Sequence, residues 1–324
     1  MVAQAPPPTP AQEPSSQPAV PPTAALVVAV CAASTASLFI RYAQAYAPSL
    51  SIAAWRLSLA AAILLPVAWT RHRLELRRIP RGDLGFIALS GVCLAIHFAT
   101  WISSLAYTSV ASSVVLVSIA PLFVALLSPL LLHERVTLPV AAGIMLAFSG
   151  TLVIAFQDAC ASPGGLACPP LEALLSGRAI RGDLLALAGA ATIAGYMMIG
   201  RRLRARIALV PYITLSYGIA AVALVLLALV ARQPLTGFAA PAYAWFALLA
   251  LVPQLIAHST YNWALKWLPA AFVSISLLGE PVGSTALALI FLGETPSALK
   301  LAGAALILLG LILATRRPEA ASPA

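Results

Sequence analysis

Long runs of apolar residues, separated by short segments rich in Pro, Gly and Arg, dominate the pattern along the chain. A helix needs about 20 apolar residues to cross the ~30 Å hydrocarbon core of a bilayer, and ten runs approach this length. Their continuous hydrophobicity favours helices over barrel strands, in which apolar and polar positions would alternate. The ten predicted spans are 24–41, 51–69, 84–106, 109–131, 137–156, 184–201, 211–231, 243–265, 270–292 and 297–315.

The basic residues are distributed unevenly between the two sides that these spans define. With loops numbered in chain order, the even loops and the C-terminal tail hold 13 Lys and Arg residues, and the odd loops with their edges hold 5. Because Lys and Arg favour cytoplasmic loops, this asymmetry places both termini in the cytoplasm. We therefore expect a multi-pass protein of the cell's inner (plasma) membrane.

Composition supports lipid as the main solvent. The chain of 324 residues is 61% hydrophobic and 9% charged, whereas a soluble domain carries about 25% charged residues. This excludes a cytosolic enzyme. The net charge of +9 arises from short Arg clusters between apolar runs, so it indicates membrane orientation and no nucleic-acid partner.

The two halves of the chain match at a constant offset of 160 residues, without a gap. Pro and Gly matches in strict register indicate an internal duplication, because they arise by chance far less often than Ala or Leu matches. The matched pairs are Arg41 and Arg201, Leu105 and Leu265, Ala111 and Ala271, Pro121 and Pro281, Glu134 and Glu294, Gly143 and Gly303, and Gly150 and Gly310.

Each repeat has five spans, so the second copy enters the membrane from the opposite side. The predicted fold class is therefore an all-α integral membrane protein of ten helices in two inverted five-helix repeats, an architecture typical of secondary transporters. The predicted divisions are a disordered Pro-rich tail at 1–22, repeats at 23–156 and 183–316, an extracytoplasmic loop at 157–182 and a C-terminal tail at 317–324.

Short motifs in both repeats resemble a known family. The stretch Leu105–Gly150 carries Ala-Tyr-Thr-Ser-Val-Ala, Ala-Pro-Leu-Phe and His-Glu-Arg, and Leu265–Gly310 carries Gly-Glu-Pro-Val and Leu-Gly-Glu-Thr. Over about residues 23–316 the chain resembles the EamA-type group of the drug/metabolite transporter superfamily. The resemblance implies ten helices around a central cavity and the transport, often outward, of amino acids, drugs or other metabolites. It carries over no catalytic residues.

Matching Gly and Pro breaks in two repeats point to a transporter site. Pro121 in the fourth span, and Gly279 with Pro281 in the ninth, predict kinks that free the carbonyls of Val117 and Leu277, because Pro cannot donate a backbone hydrogen bond. Such kinks could line a cavity or could be packing kinks repaired by a neighbouring Ser or water.

Two charged residues fall within the predicted spans. Glu280 is central in the ninth span, where a charge is costly; it could bind a substrate ammonium, relay a proton, or be a neutral acid bonded to local backbone. Arg56 lies near the outer end of the second span. It could hold a substrate carboxylate, pair with Glu280, or snorkel to the headgroups.

Polar and aromatic side chains in the third and eighth spans complete the predicted substrate site. His97 could titrate and couple protons, and Trp101 could stack on a flat, apolar or cationic solute. The alternatives are histidines bonded between helices and aromatics that fill space. The eighth span contributes His258, Tyr261 and Asn262. The weaker candidates are Gln254 in the same span, Tyr196 in the sixth span and Ser118 in the fourth.

Two further pairs of residues have predicted structural roles. Glu134 and Glu294 end the fourth and ninth spans, and we expect them to cap the next helix at Thr137 or Ser297 or to pair with a nearby base. Cys160 and Cys168 share one loop predicted to lie outside the cell, where they could form a disulfide or remain free thiols.

The sequence thus predicts a secondary carrier that exports a small organic solute by alternating access. A zwitterion such as an amino acid suits the acid, base and aromatics, but other metabolites and cationic drugs remain open. The alternatives are a channel or lipid-flipping protein, or an integral membrane enzyme. The chain lacks phosphate-binding, zinc-protease and hydrolase motifs, so we expect no enzyme, cofactor or metal. A homodimer is compatible with the sequence.

Overall fold

The computed structural model describes residues 18, 20–108, 110–162, 165–166, 168, 170, 172, 177–292 and 295–315. Most of the predicted N-terminal tail, residues 316–324 and Glu294 lie outside this part of the chain. The first half forms α1 (Pro22–Ala33), α2 (Ala36–Gln44), α3 (Ser49–Arg71), α4 (Arg73–Arg78), α5 (Arg81–Ser104), α6 (Val110–Val117), α7 (Ala120–Leu131) and α8 (Leu138–Cys160).

The second half is also helical. A small antiparallel hairpin, β1 (Ala161–Ser162) and β2 (Gly165–Leu166), follows α8. The helices after it are α9 (Gly177–Arg204), α10 (Leu209–Val230), α11 (Ala240–Leu249), a π-helical segment (Ala250–His258), α12 (Ser259–Ala264), α13 (Ala270–Ser276), a 3-10 turn (Leu277–Gly279), α14 (Glu280–Leu292) and α15 (Ala298–Thr315).

Seven helices of the described residues are long and apolar enough to cross a membrane, which confirms a multi-pass helical membrane protein. They are Pro22–Gln44, Ser49–Arg71, Arg81–Ser104, Gly177–Arg204, Leu209–Val230, Ala240–Ala264 and Ala270–Leu287. Shorter apolar helices occupy the fourth, fifth and tenth predicted spans, at Val115–Leu131, Leu138–Ile154 and Ala298–Ala314. The count of ten spans and the domain bounds stay predictions.

Four glycines bring α8 and α15 into backbone contact. A Cβ atom at Gly150 would lie 2.5 Å from the carbonyl oxygen of Gly303, and one at Gly143 would lie 2.6 Å from that of Gly310. The lower-numbered glycine of α8 thus meets the higher-numbered glycine of α15, so the helices run antiparallel. Small residues allow this approach, and van der Waals packing is what holds membrane helices together.

Two helical spans are interrupted, one beside hydroxyl groups and one just before a proline. The first span breaks at Ser34 and Thr35 between α1 and α2. Ser34 Oγ donates to the carbonyl of Val30 at 2.7 Å, and Ser284 Oγ donates to the carbonyl of Ser34 at 3.0 Å. A second break separates α6 from α7 just before Pro121. Side-chain hydroxyls of this kind can satisfy backbone groups that a broken membrane helix releases.

Cys160 and Cys168 form a disulfide at the end of α8. The bond closes the segment that contains the β1–β2 hairpin, in which Ala161 pairs with Leu166. The pairing that the sequence left open is therefore present in the structure.

The glycine contact predicts opposite effects for two Gly-to-Ala changes. Gly150→Ala places a methyl group against the Gly303 carbonyl, so we expect it to lower stability by about 1–3 kcal/mol through overpacking. Gly218→Ala is the matched control, because a Cβ atom there meets nothing within 4 Å; it should raise stability by about 0.5–1 kcal/mol through helix propensity. Thermal unfolding in one detergent measures both, and equal stability of the two variants would contradict the proposed backbone contact.

Candidate functional site

A cavity of about 210 Å³ lies where the interrupted helices meet. Ala33 and Ala36 line it from the α1–α2 break, and Ser118 does so from the α6–α7 break. The π-helical segment and the 3-10 turn also border it. The polar or charged lining residues are Ser37, Arg56, His97, Trp101, Ser118, Thr151, His258, Glu280, Ser284, Thr285 and Lys300.

Arg56 lines this cavity and is 0% exposed. Its Nε atom donates to Gln254 Oε1 at 2.9 Å, and its guanidinium carbon lies 4.1 Å from the centre of the Phe98 ring. The Nη1 and Nη2 atoms have no hydrogen-bond partner among the described residues. Such burial excludes the snorkelling alternative, because the side chain does not reach solvent.

Glu280 lines the same cavity at the first residue of α14. The residue is partly buried. Within the part of the chain that the structure describes, Arg56 and Glu280 line one cavity but form no direct ion pair. The cavity therefore offers a positive and a negative group at separate positions.

Aromatic rings and histidines form one wall. His97 stacks on Trp101 with ring centres 5.7 Å apart, and Phe98 meets His258 edge-on at 5.3 Å. His97 Nδ1 lies 2.9 Å from the carbonyl oxygen of Gly189. A carbonyl only accepts hydrogen bonds, so Nδ1 carries a proton and donates it. Trp101 Nε1 is buried without a partner among the described residues.

The structure brings seven of the ten predicted site residues to the cavity wall: Arg56, His97, Trp101, Pro121, His258, Glu280 and Pro281. Their contact with a substrate stays a prediction.

The other three predicted residues lie beside the cavity and do not line it. Asn262 Nδ2 donates to Tyr196 Oη at 2.7 Å and to the carbonyl of His258 at 2.6 Å. Tyr261 packs edge-on against His258. A Cβ atom at Gly279 would lie 2.9 Å from Val30 Cγ1, so Gly279 allows α1 to pack closely. Their positions fit helix packing, and substrate contact by them also stays a prediction.

Sequence reasoning ranked Gln254 as a weak candidate and did not select the hydroxyls of Thr151, Ser284 and Thr285. Gln254 accepts a hydrogen bond from Arg56, and the two residues are 198 positions apart, so no local sequence pattern indicates the contact. A signal was nevertheless present in Pro253, which precedes Gln254 within the π-helical segment. Proline disturbs regular helical hydrogen bonding, and π-helical turns occur frequently at functional sites.

A second polar cluster, which we call the Glu134 clasp, joins three helical segments at one end of the bundle. Arg201 Nε donates to Glu134 Oε1 at 2.5 Å, and Arg201 Nη1 donates to the carbonyl of Leu265 at 2.8 Å. The backbone N–H of Ala270 donates to Glu134 Oε2 at 3.1 Å. Glu134 therefore pairs with a base as expected, but it caps α13 and not the helix after Thr137.

The clasp and the polar end of the cavity lie at opposite ends of the span formed by α13, the 3-10 turn and α14. α14 begins at Glu280 and runs away from α13, and Ser284 and Thr285 extend the cavity along it. Lys300, near the start of α15, also lines the cavity. The cavity thus extends towards the end where α15 begins, and the clasp joins the chain at the end where α13 begins.

This fold and cavity define a multi-pass helical membrane protein with a central solute-sized space. The EamA-like transporter family matches the chain at residues 22–156 and 180–316, and the chain belongs to this family. It is 25% identical over 277 residues to the uncharacterized transporter YyaM of Bacillus subtilis (strain 168), covering 85% of this chain and 87% of that protein.

A protein of known crystal structure shows the same fold. It is 23% identical in sequence and superposes with a TM-score of 0.72, covering 91% of this chain and 96% of that chain. The family match supplies the class of activity, a membrane transporter, and the structural likeness supplies the fold alone.

The direction of the cavity predicts which engineered thiols meet water. On a background with Cys31 and Cys93 replaced by Ser, Thr285→Cys should react with a water-soluble methanethiosulfonate reagent, because Thr285 lines the cavity. Ser90→Cys is the control, since Ser90 is 0% exposed and bonded to Tyr212; it should stay unmodified over the same time. Mass spectrometry of the purified protein reads both, and equal labelling would contradict the cavity assignment.

Proposed function

We propose that this chain is a secondary carrier that exports a small organic solute, with amino acids or related metabolites and drugs as the candidates. It has ten spans in two inverted five-helix repeats and works by alternating access. The observation that supports this best is the cavity itself, which holds Arg56 and Glu280 apart among interrupted helices and is opposed by a polar clasp. The substrate-contacting residues we propose are Glu280, Arg56, Trp101, His97 and His258.

The glycine contacts between α8 and α15 support the inverted repeat. An offset of 160 residues converts Gly143 to Gly303 and Gly150 to Gly310. The observed contacts join Gly143 to Gly310 and Gly150 to Gly303. If each glycine of the first contact is replaced by its counterpart in the other repeat, the result is the second contact. Two antiparallel helices whose contacts exchange in this way fit a two-fold axis between them, which is the symmetry expected of inverted repeats in a carrier.

The size and charges of the cavity favour a metabolite over a large drug. Drug-sized ligands occupy pockets of about 300–1,000 Å³, and this cavity measures about 210 Å³. A zwitterion could place its carboxylate at Arg56 and its ammonium group at Glu280. Trp101 and His97 would then flank its side chain.

The basic-residue asymmetry supports cytoplasmic termini in the inner membrane. In that orientation the cavity opens to the outside and the Glu134 clasp closes the cytoplasmic side. A closed cytoplasmic end argues against a continuous channel, and a cavity lined by residues from several helices argues against the lateral groove that a lipid-flipping protein would use. The family membership argues against an enzyme.

Counterflow into proteoliposomes tests the carrier. We expect uptake of a labelled amino acid or related metabolite to saturate and to accelerate when the same unlabelled solute is loaded inside, because a carrier binds on both sides in turn. A channel would give uptake without this acceleration, and an enzyme would change the solute chemically. Protein-free liposomes are the control. Either of those two results, or no uptake of any amino acid or related metabolite, would reject the proposal.

Loss of the clasp should open the cytoplasmic side. Glu134→Gln and Arg201→Gln each remove a charged hydrogen bond of about 1.5–3 kcal/mol, which shifts a two-state equilibrium by roughly 10- to 150-fold. The reporter is Ala271→Cys, because Ala271 is 4% exposed beside the capped end of α13; its labelling should accelerate.

The matched control for the clasp is Arg202→Gln. Arg202 neighbours Arg201 in the chain but lies over the Phe86 ring, away from Glu134. Its replacement should leave the labelling of Ala271→Cys unchanged. Acceleration by Arg202→Gln, or none by the clasp variants, would show that the clasp does not hold the cytoplasmic side closed.

A further inference from the structure

We propose that Arg56 is a carboxylate anchor, held in position by Gln254 and Phe98, and that the solute must therefore carry a carboxylate group. This inference rests on the proposed carrier function and narrows its substrate class to amino acids and other small carboxylic acids. It assigns Gln254 as the positioning residue of the anchor.

The contrast with Arg204 separates a structural arginine from a binding arginine. Arg204 is also buried, at 3% exposure, but its Nε donates to the carbonyl of Asn262 at 3.1 Å and its Nη1 donates to the carbonyl of Ile207. Backbone carbonyls thus accept hydrogen bonds from the Arg204 guanidinium. Arg56 is more deeply buried and has only Gln254 as a hydrogen-bond partner among the described residues.

Burying a cation without full hydrogen bonding is unfavourable, so an unfilled donor pair in a cavity indicates a partner that arrives from outside. The two unfilled donors of Arg56, Nη1 and Nη2, belong to one planar group. Two parallel N–H groups match the two oxygens of a carboxylate in a bidentate pair, which a lysine ammonium cannot reproduce.

Gln254 and Phe98 determine which edge of the guanidinium remains available. Gln254 Oε1 occupies Nε at 2.9 Å, and the Phe98 ring lies under the guanidinium plane at 4.1 Å. The edge that carries Nη1 and Nη2 is buried and has no partner among the described residues, and it is the edge with which a carboxylate would pair. Because Gln254 is neutral, it orients the arginine without cancelling its charge; a glutamate at this position would pair with the guanidinium and remove the attraction for an anion.

The remaining polar groups of the cavity agree with an anion at Arg56. Trp101 Nε1 is a further buried donor without a partner among the described residues, so it can donate to the same anion or to the body of the solute. Glu280 repels a carboxylate placed beside it and attracts an ammonium group. The charges therefore favour one orientation of a zwitterion, with its carboxylate at Arg56.

Binding of matched compounds tests the anchor. For the side chains of alanine, leucine and phenylalanine, four compounds are titrated: the amino acid, its primary amide, the amine lacking the carboxyl group and the acid lacking the amino group. Isothermal titration calorimetry of the full-length protein in nanodiscs gives each Kd. We expect at least one amino acid or deaminated acid to bind, and its amide and amine to bind about 100-fold more weakly, because the buried guanidinium loses its partner.

Two variants and one control assign the effect to the anchor. Arg56→Lys and Gln254→Glu should each abolish the preference for the acid over the amide, the first by removing the bidentate pair and the second by neutralising it. Arg204→Lys is the matched control, because it alters a buried arginine outside the cavity. It should lower thermal stability while it leaves the acid-to-amide ratio of Kd values unchanged.

The possible failures are distinguishable. If amides or amines bind the wild-type protein as tightly as the acids, the anchor is rejected while the carrier cavity stands. If the acid preference persists in both Arg56→Lys and Gln254→Glu, the assignment to Arg56 is rejected even though carboxylates bind. If no compound binds and counterflow also fails, both the anchor and the carrier proposal are rejected. The comparison of acids, amides and amines uses the wild-type protein, so it does not depend on whether any variant folds.

Discussion

In the hydrocarbon core of a membrane, backbone groups have no water to bind, so a helix can be interrupted only where protein or a polar cavity satisfies the groups that it releases. This constraint organises the protein. The α1–α2 and α6–α7 breaks, the π-helical segment and the 3-10 turn all border one cavity. Hydroxyls such as Ser34 and Ser284 support the first of these breaks, and the space between the broken helices becomes available to a solute.

The few charges within the bundle divide into two classes by what they contact. Arg204 and the Arg201–Glu134 pair bond to backbone carbonyls and N–H groups, so they hold helix ends together. Arg56 and Glu280 face the cavity without a direct ion pair among the described residues. In a chain with only 9% charged residues, an arginine and a glutamate retained in such a space favour a binding role, because intramembrane charges are costly.

Close backbone packing and the Glu134 clasp have complementary roles in the proposed transport cycle. The Gly150–Gly303 approach leaves little freedom between α8 and α15, because a displacement would lose contacts over the whole interface. The Glu134 clasp consists of a few hydrogen bonds with partly exposed side chains, and such bonds can break and re-form as one side opens. Rigid packing on one wall and a breakable contact at one end fit alternating access about a fixed site.

Local sequence was sufficient for those features that depend on local properties of the chain. Hydrophobic length located the helices, and the prolines marked the breaks near Pro121 and Pro281, because Pro removes a hydrogen bond wherever it lies in a helix. The charge placed in an apolar span singled out Glu280. The 160-residue offset identified Gly143 and Gly150 with their counterparts before any contact was known.

Only the tertiary structure decided which side chains share the cavity, since uniformly apolar helices show no inward face in their sequence. In the structure Asn262 lies beside the cavity and donates a hydrogen bond to Tyr196. Arg56 donates a hydrogen bond to Gln254, which is 198 residues away in the chain. The tertiary structure also paired Glu134 with Arg201 and Ala270, whereas the sequence predicted a basic partner without indicating which residue it is. The physical reason is common to all three: hydrogen bonds across a bundle depend on how helices pack, and a local pattern carries no information on distant partners.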